Sequence, residues 1–297
     1  MKKILIIFCL MFFSTFAAWA ESVSTSAVYV YSSDYNQARA AAAIPLGTNF
    51  VVGAEGRWVE DKLSAQKGGL KNPVYSVYLP LQLDLEMLKF SLTPFYYFKN
   101  KSDNALYQDA SAYGAHAQLL MNLRSDDLEE RYTRAFIDIA YARQKGTLFD
   151  QNGASDQDYT HMAYSLGLWQ NFYNAFSFQV SGTAYQYPDG ITGVEKWRGV
   201  LNQNDLAFVQ SYDVNRELGK YTLAARITRM WPQTRSTLYI GYHYAEFYTA
   251  DPQHSVLLGN SFYVLPQARI DAAYNHLRNT DGKNKRDIFY INLNVAF

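Results

Sequence analysis

The chain has one cysteine, Cys9, and it lies inside the first apolar run. A single thiol cannot close an intramolecular disulfide, so no disulfide framework organises this fold. Neither sign of charge is in excess: 27 basic residues face 27 acidic ones, which argues against a general nucleic-acid partner. Past the first twenty residues no apolar run approaches the ~20 positions that a membrane-spanning helix needs. Metal-ligand spacings, a phosphate-cradling glycine loop and nucleotide-binding motifs are also missing. The sequence therefore implies no cofactor and no metal.

The chain is rich in aromatics, with 25 Tyr and 18 Phe, yet its mean hydropathy is only −0.25. Lys2 and Lys3 precede an apolar run from Ile4 to Phe16, and Ala18-Trp19-Ala20 fits the small-x-small rule for cleavage after Ala20. Residues 1–20 thus read as a secretory signal peptide. Residues 21–297 read as one mature domain of 277 residues, with 25 basic and 27 acidic side chains. Cys9 falls within the signal rather than at the cleavage point, so it is not a lipid-attachment cysteine.

The mature sequence alternates. In Asp287 to Phe297 every second residue is apolar: Phe289, Ile291, Leu293, Val295 and Phe297. Period two is the signature of a strand with one apolar face. This stretch resembles the C-terminal strand of bacterial outer-membrane β-barrels. That resemblance implies that these five residues form a signal read by the barrel-assembly machinery. Similar alternation recurs along the chain. Phe50, Val52, Ala54 and Trp58 oppose Glu55 and Arg57. Phe90, Leu92, Tyr96 and Phe98 oppose Lys89, Ser91 and Thr93. Ala135, Ile137, Ile139 and Tyr141 oppose Arg134 and Asp138.

Lipid offers no hydrogen bonds, so a sheet that spans it must close on itself. The expected fold is all-β: a transmembrane, antiparallel, up-and-down β-barrel. Fifteen strands are clear, and an even number is required if both ends lie on one side. Leu206 to Val214 is one of the fifteen, and a further strand at Val194 to Leu201 gives about sixteen. Fourteen results if two weak segments are loops. Asp61–Asn72, Asn100–Asp109, Gly146–Asp158, Thr249–His254 and Thr280–Arg286 then fall on one side as long loops. The tight turns at Asp84, Tyr173, Trp231 and Pro266 fall on the other. Tyr29, Trp58, Tyr141, Trp169, Tyr242 and Tyr248 would suit interfacial girdles.

About sixteen strands leave an aqueous lumen, whereas about eight are filled by their own side chains. Glu55, Arg57, His116, Arg134, Asp138, Arg226, His243, Arg269 and Asp271 are the expected pore-lining residues. The expected function is porin-like diffusion of small hydrophilic solutes through a barrel in outer-membrane lipid. Two alternatives are a lipid hydrolase and a surface-display or adhesion barrel acting through its loops. Outer-membrane phospholipases use a His-x-Ser pair on one strand. Here the nearest match, His161 and Ser165, is spaced by four, about 13 Å along a strand, too far for a hydrogen bond. No catalytic residue is therefore expected.

Overall fold

A computed structural model describes residues 23–61, 73–100, 107–126, 131–150, 153–172, 175–191, 201–207, 218–248, 250–280 and 285–297. Ala18 and Ala20, and with them the signal peptide, lie outside the described residues.

The first three strands are β1 (Ser24–Ser32), β2 (Tyr35–Leu46) and β3 (Phe50–Asp61). Next come β4 (Val74–Tyr78), β5 (Leu81–Asp84), β6 (Leu88–Asn100), β7 (Tyr107–Asp126), β8 (Arg131–Asp150), β9 (Gly153–Phe172) and β10 (Phe176–Gln186). The last five are β11 (Gly219–Trp231), β12 (Ser236–Phe247), β13 (Gln253–Leu265), β14 (Ala268–Asn279) and β15 (Lys285–Ala296). Sequential strands pair antiparallel, β1 pairs with β15, and β2 with β3, so the sheet closes without an edge.

β4 and β5 are successive halves of one stave, and both lie between β3 and β6. Pro80 causes the break because it has no amide to donate. Its carbonyl still accepts from Gly53 N at 2.7 Å, and Leu79 N donates to Pro94 O at 3.0 Å. Gly53 must be glycine here, since a Cβ would meet Pro80 Cγ at 2.8 Å. The barrel thus has fourteen staves.

The expected closed antiparallel barrel is present, with the lower of the two strand counts. Of the strands expected at Val194–Leu201 and Leu206–Val214, only Leu201, Leu206 and Ala207 are among the described residues, and none of these three is part of a strand. β10 pairs directly with β11, from Phe176↔Arg229 to Ala184↔Tyr221, so no stave can stand between them. Leu201 to Ala207 instead form a buried segment with a 3-10 turn at Gln203–Leu206. The count falls by two, from sixteen to fourteen, so every other connection stays on its expected side. Gly146–Asp158 is likewise not a loop. β8 and β9 run on through it as a paired hairpin to Asp150↔Gly153.

The two faces of the wall are reversed relative to a soluble protein. Leu166 is 63 % exposed and Ile240 52 %, whereas Asp138 is 2 % exposed and His161 1 %. The apolar groups point outward, as a lipid environment requires, and the polar groups point into the barrel. Tyr29, Trp58, Tyr141 and Tyr242 share the outward parity of their strands, whereas Tyr248 lies beyond β12 and packs against Tyr187. Trp169 is a correction, because it shares the inward face of β9 with His161 and lies 5.6 Å from the Arg134 guanidinium.

Candidate functional site

The interior holds the candidate site, and its upper part is organised around Leu201–Ala207. Asn202 caps the 3-10 turn: its side chain accepts from Asn204 N at 3.3 Å and its carbonyl from Asp205 N at 3.0 Å. That turn presents Asp205 to the wall. One carboxylate oxygen accepts from Arg57 on β3 at 2.7 Å. The other accepts from the Tyr97 hydroxyl on β6 at 2.5 Å and lies 3.2 Å from the Tyr78 hydroxyl on β4. Tyr78 in turn donates to Tyr97 at 2.7 Å, and the Arg57 guanidinium lies 3.7 Å over the Tyr78 ring. Glu55 pairs with the far side of the same guanidinium.

Burial pushes the Asp205 carboxyl upward in pKa. The guanidiniums of Arg57 and Arg39, with the two tyrosine hydroxyls, more than reverse this and hold it below the usual carboxylate range.

Further contacts fix the segment to neighbouring staves. Leu201 N donates to Gln144 Oε1 on β8 at 2.8 Å. The Gln203 side chain meets His161 Nδ1 on β9 at 3.1 Å, and its carbonyl accepts from the Tyr185 hydroxyl on β10 at 3.3 Å. Leu201, Leu206 and Ala207 pack against Ala110, Ala112, Ala140, Ala142 and Ala163 on the inner wall. Small residues at these inward positions leave room for the segment. An alanine patch facing the lumen of a water-filled pore would otherwise be out of place.

All nine residues expected to line the lumen carry their side chains on the inward face of their strands. They form clusters rather than a ring. Glu55 and Arg57 join Asp205. His116 Nδ1 lies 3.6 Å from Asp138 Oδ2. Toward the end where the chain termini meet, Arg269 reaches Asp271 at 2.9 Å and Ser261 at 3.0 Å, and Asn294 donates to Asp271 at 3.2 Å. Arg134 donates to Asn122 at 2.9 Å and lies 4.2 Å over Tyr132. Arg226 lies 3.7 Å over the ring of Tyr239. Tyr239 can lie flat on the wall because its neighbour is Gly259, where a Cβ would fall 2.1 Å from its Cζ. His243 faces inward opposite Ser255.

The sequence reading did not identify Tyr78, Tyr97, Gln144, Tyr185 and Asp205 as parts of this site. The run of inward alanines was the available signal. His161 and Ser165 share the inward face of β9 but have different partners. His161 meets Gln203, and the Ser165 hydroxyl lies 2.8 Å from Thr183 Oγ1. Among the described residues this arrangement provides no serine–histidine hydrogen bond on that strand.

Phe289, Ile291, Leu293 and Phe297 are exposed on the outer surface. Val295 sits at the same parity, opposite Ala268. The terminus is tied to the start of the chain, with Phe297 N donating to Val23 O at 2.9 Å.

No family model matches the chain, and no curated protein matches it. Solved structures do. CdiB from Acinetobacter baumannii is 10% identical with a TM-score of 0.54, covering 93% of this chain, which spans 60% of CdiB's length. KdgM porin is 8% identical with a TM-score of 0.42, over 92% of this chain and 99% of that one. OmpT, an outer membrane protein of Vibrio cholerae, is 10% identical with a TM-score of 0.41, over 93% and 98%. These neighbours are outer-membrane β-barrels, and what this chain shares with them is the fold.

Proposed function

We propose that the chain is exported by the signal ending at Ala20, is inserted in the outer membrane by the barrel-assembly machinery through its Phe297 strand, and passes small hydrophilic solutes. The observation that carries the channel reading is a fourteen-stave wall with charged groups on its inner face. About eight staves are filled by side chains alone, and fourteen enclose more than side chains fill. The segment Leu201–Ala207 takes up part of that space beside β3 to β10, so the passage is narrower than the stave count implies. Glu55, Arg57, His116, Arg134, Asp138, Arg226, His243, Arg269 and Asp271 line the lumen in this reading.

Planar-bilayer recording of the refolded mature chain tests the proposal. Discrete conductance steps are the expected result. Correctly folded protein that never passes current would overturn the channel and leave the barrel standing.

A second reading, surface display, draws on β7, β8 and β9. Each has 20 residues, about twice what crosses the bilayer as a tilted strand. Binding of whole cells to a surface, lost when the β8–β9 hairpin is trimmed, would favour it.

A further inference from the structure

The outer surface carries a second feature. Along β12 to β15 the register aligns outward side chains into horizontal rows. Ile240, Leu258, Tyr274 and Phe289 form one row, Tyr242, Val256, His276 and Asp287 the next, and Tyr244, His254, Arg278 and Lys285 the one beyond. The first row is lipid-like. The second begins to be polar. In the third, three successive strands present His, Arg and Lys as direct cross-strand partners about 5 Å apart. Arg278 and Lys285 are both exposed.

Like charges placed directly opposite each other destabilise a sheet. Among the described residues, the carboxylates on this part of the outer face do not relieve them. Asp287 accepts from the Tyr274 hydroxyl at 2.5 Å and meets His276 at 2.8 Å. Glu246 is held by Lys220 at 3.1 Å and Tyr244 at 3.3 Å. His254 packs against the Tyr244 ring at 5.0 Å, which fixes it in the row.

The level of the row identifies what balances it. Arg278 lies four residues beyond Tyr274, about 13 Å along the strand, and two residues beyond the row that contains Tyr242. Aromatic girdles mark the edge of the acyl layer, so the cations stand at headgroup height. They are at the end of the barrel opposite the chain termini, the side that the long connections assign to the cell exterior.

We infer that Tyr244, His254, Arg278 and Lys285 form a binding site for a phosphorylated lipid headgroup of the external leaflet. The tyrosine would lie along the sugar or acyl edge, and the cations would take the phosphate. The inference rests on the membrane placement proposed above and is independent of whether the lumen conducts.

The test uses folded full-length mature protein in detergent with bisphosphorylated lipid A as the probe, read by native mass spectrometry. Retention of bisphosphorylated lipid A but not of its dephosphorylated form is expected for the wild type, with no competition by millimolar inorganic phosphate. Arg278→Gln with Lys285→Gln should weaken retention roughly thirtyfold. Arg229→Gln, on the outer face at the opposite end over Phe176, should not change it. Equal retention of the two lipid forms, displacement by free phosphate, or unchanged binding in the double variant would overturn the site. The wild-type lipid comparison decides the matter even if the double variant fails to fold. Membrane fractionation of the wild type separately tests the placement on which the inference rests.

Discussion

Arg57 and Asp205 lie 148 positions apart in the chain and meet at 2.7 Å inside the barrel. The wall supplies the cation and the inward segment supplies the anion, so this contact ties the segment to the wall. Tyr78 and Tyr97 close the other side of the carboxylate. The anion therefore has a complete set of donors only while the segment is docked.

Removing that anchor should loosen the segment. Asp205→Ala leaves Arg57 with Glu55 and strips the Tyr97 hydroxyl of its acceptor, while Tyr78 keeps Tyr97. The docked state should lose about 2 kcal/mol, the order expected for hydrogen bonds to a charged group. Single-channel recording should show larger or noisier conductance than the wild type. Unchanged traces would mean that the segment does not limit the passage.

The pH dependence follows from the direction of the Asp205 shift. A carboxyl lowered in the folded state contributes stability above its ordinary value near 3.8, and that stability is lost as pH falls through the lowered value. The segment should therefore stay docked from neutral pH down to about pH 4. Conductance recorded between pH 7 and pH 5 should be constant, with release only in stronger acid. A transition near pH 6 would show that a different group controls the segment.

The two faces of the last strand should respond oppositely. Leu293 is 41% exposed on the outer face. Leu293→Asp should cost roughly 2 kcal/mol at lipid depth and slow membrane assembly. Asn294→Ser faces the interior and should insert normally. Asn294→Asp is not a neutral control, because the Asn294 amide donates to Asp271 at 3.2 Å and a second carboxylate would repel it. Heat-modifiability on cold gels distinguishes folded from unfolded barrels in each case.

Charge in the lower lumen should set ion preference. Among the described residues, Arg134 and Arg226 are held over aromatic rings rather than paired with acids. Replacing both with Gln should move the reversal potential in a salt gradient toward cations without closing the channel, since clusters of charge control pore selectivity. Gly259→Val approaches the same site differently. It should push Tyr239 off the wall, release Arg226 and cost about 2 kcal/mol, measurable as a lower unfolding midpoint.

The sequence by itself determined the wall. Period-two alternation fixed which side of each strand meets lipid, and a one-residue slip would reverse every side chain, so the register leaves little freedom. The inward placement of Glu55, Arg57, Asp138 and Asp271 follows from parity alone. The stave count did not follow as cleanly. Val194–Leu201 and Leu206–Val214 alternate in sequence as strands do, and periodicity cannot tell an apolar residue facing lipid from one, such as Leu201 or Leu206, packed inside the lumen. Leu201 and Leu206 meet the alanines of β7, β8 and β9, and only the closed barrel brings those surfaces together. Trp169 was misplaced for a related reason: an aromatic near a strand end suits a girdle, but its parity sends it to Arg134. The contact between Arg57 and Asp205 belongs wholly to the tertiary structure. The local partner of Arg57 is Glu55, nothing near either residue in the sequence announces the other, and the pair exists because the closed wall brings Arg57 to the buried segment Leu201–Ala207.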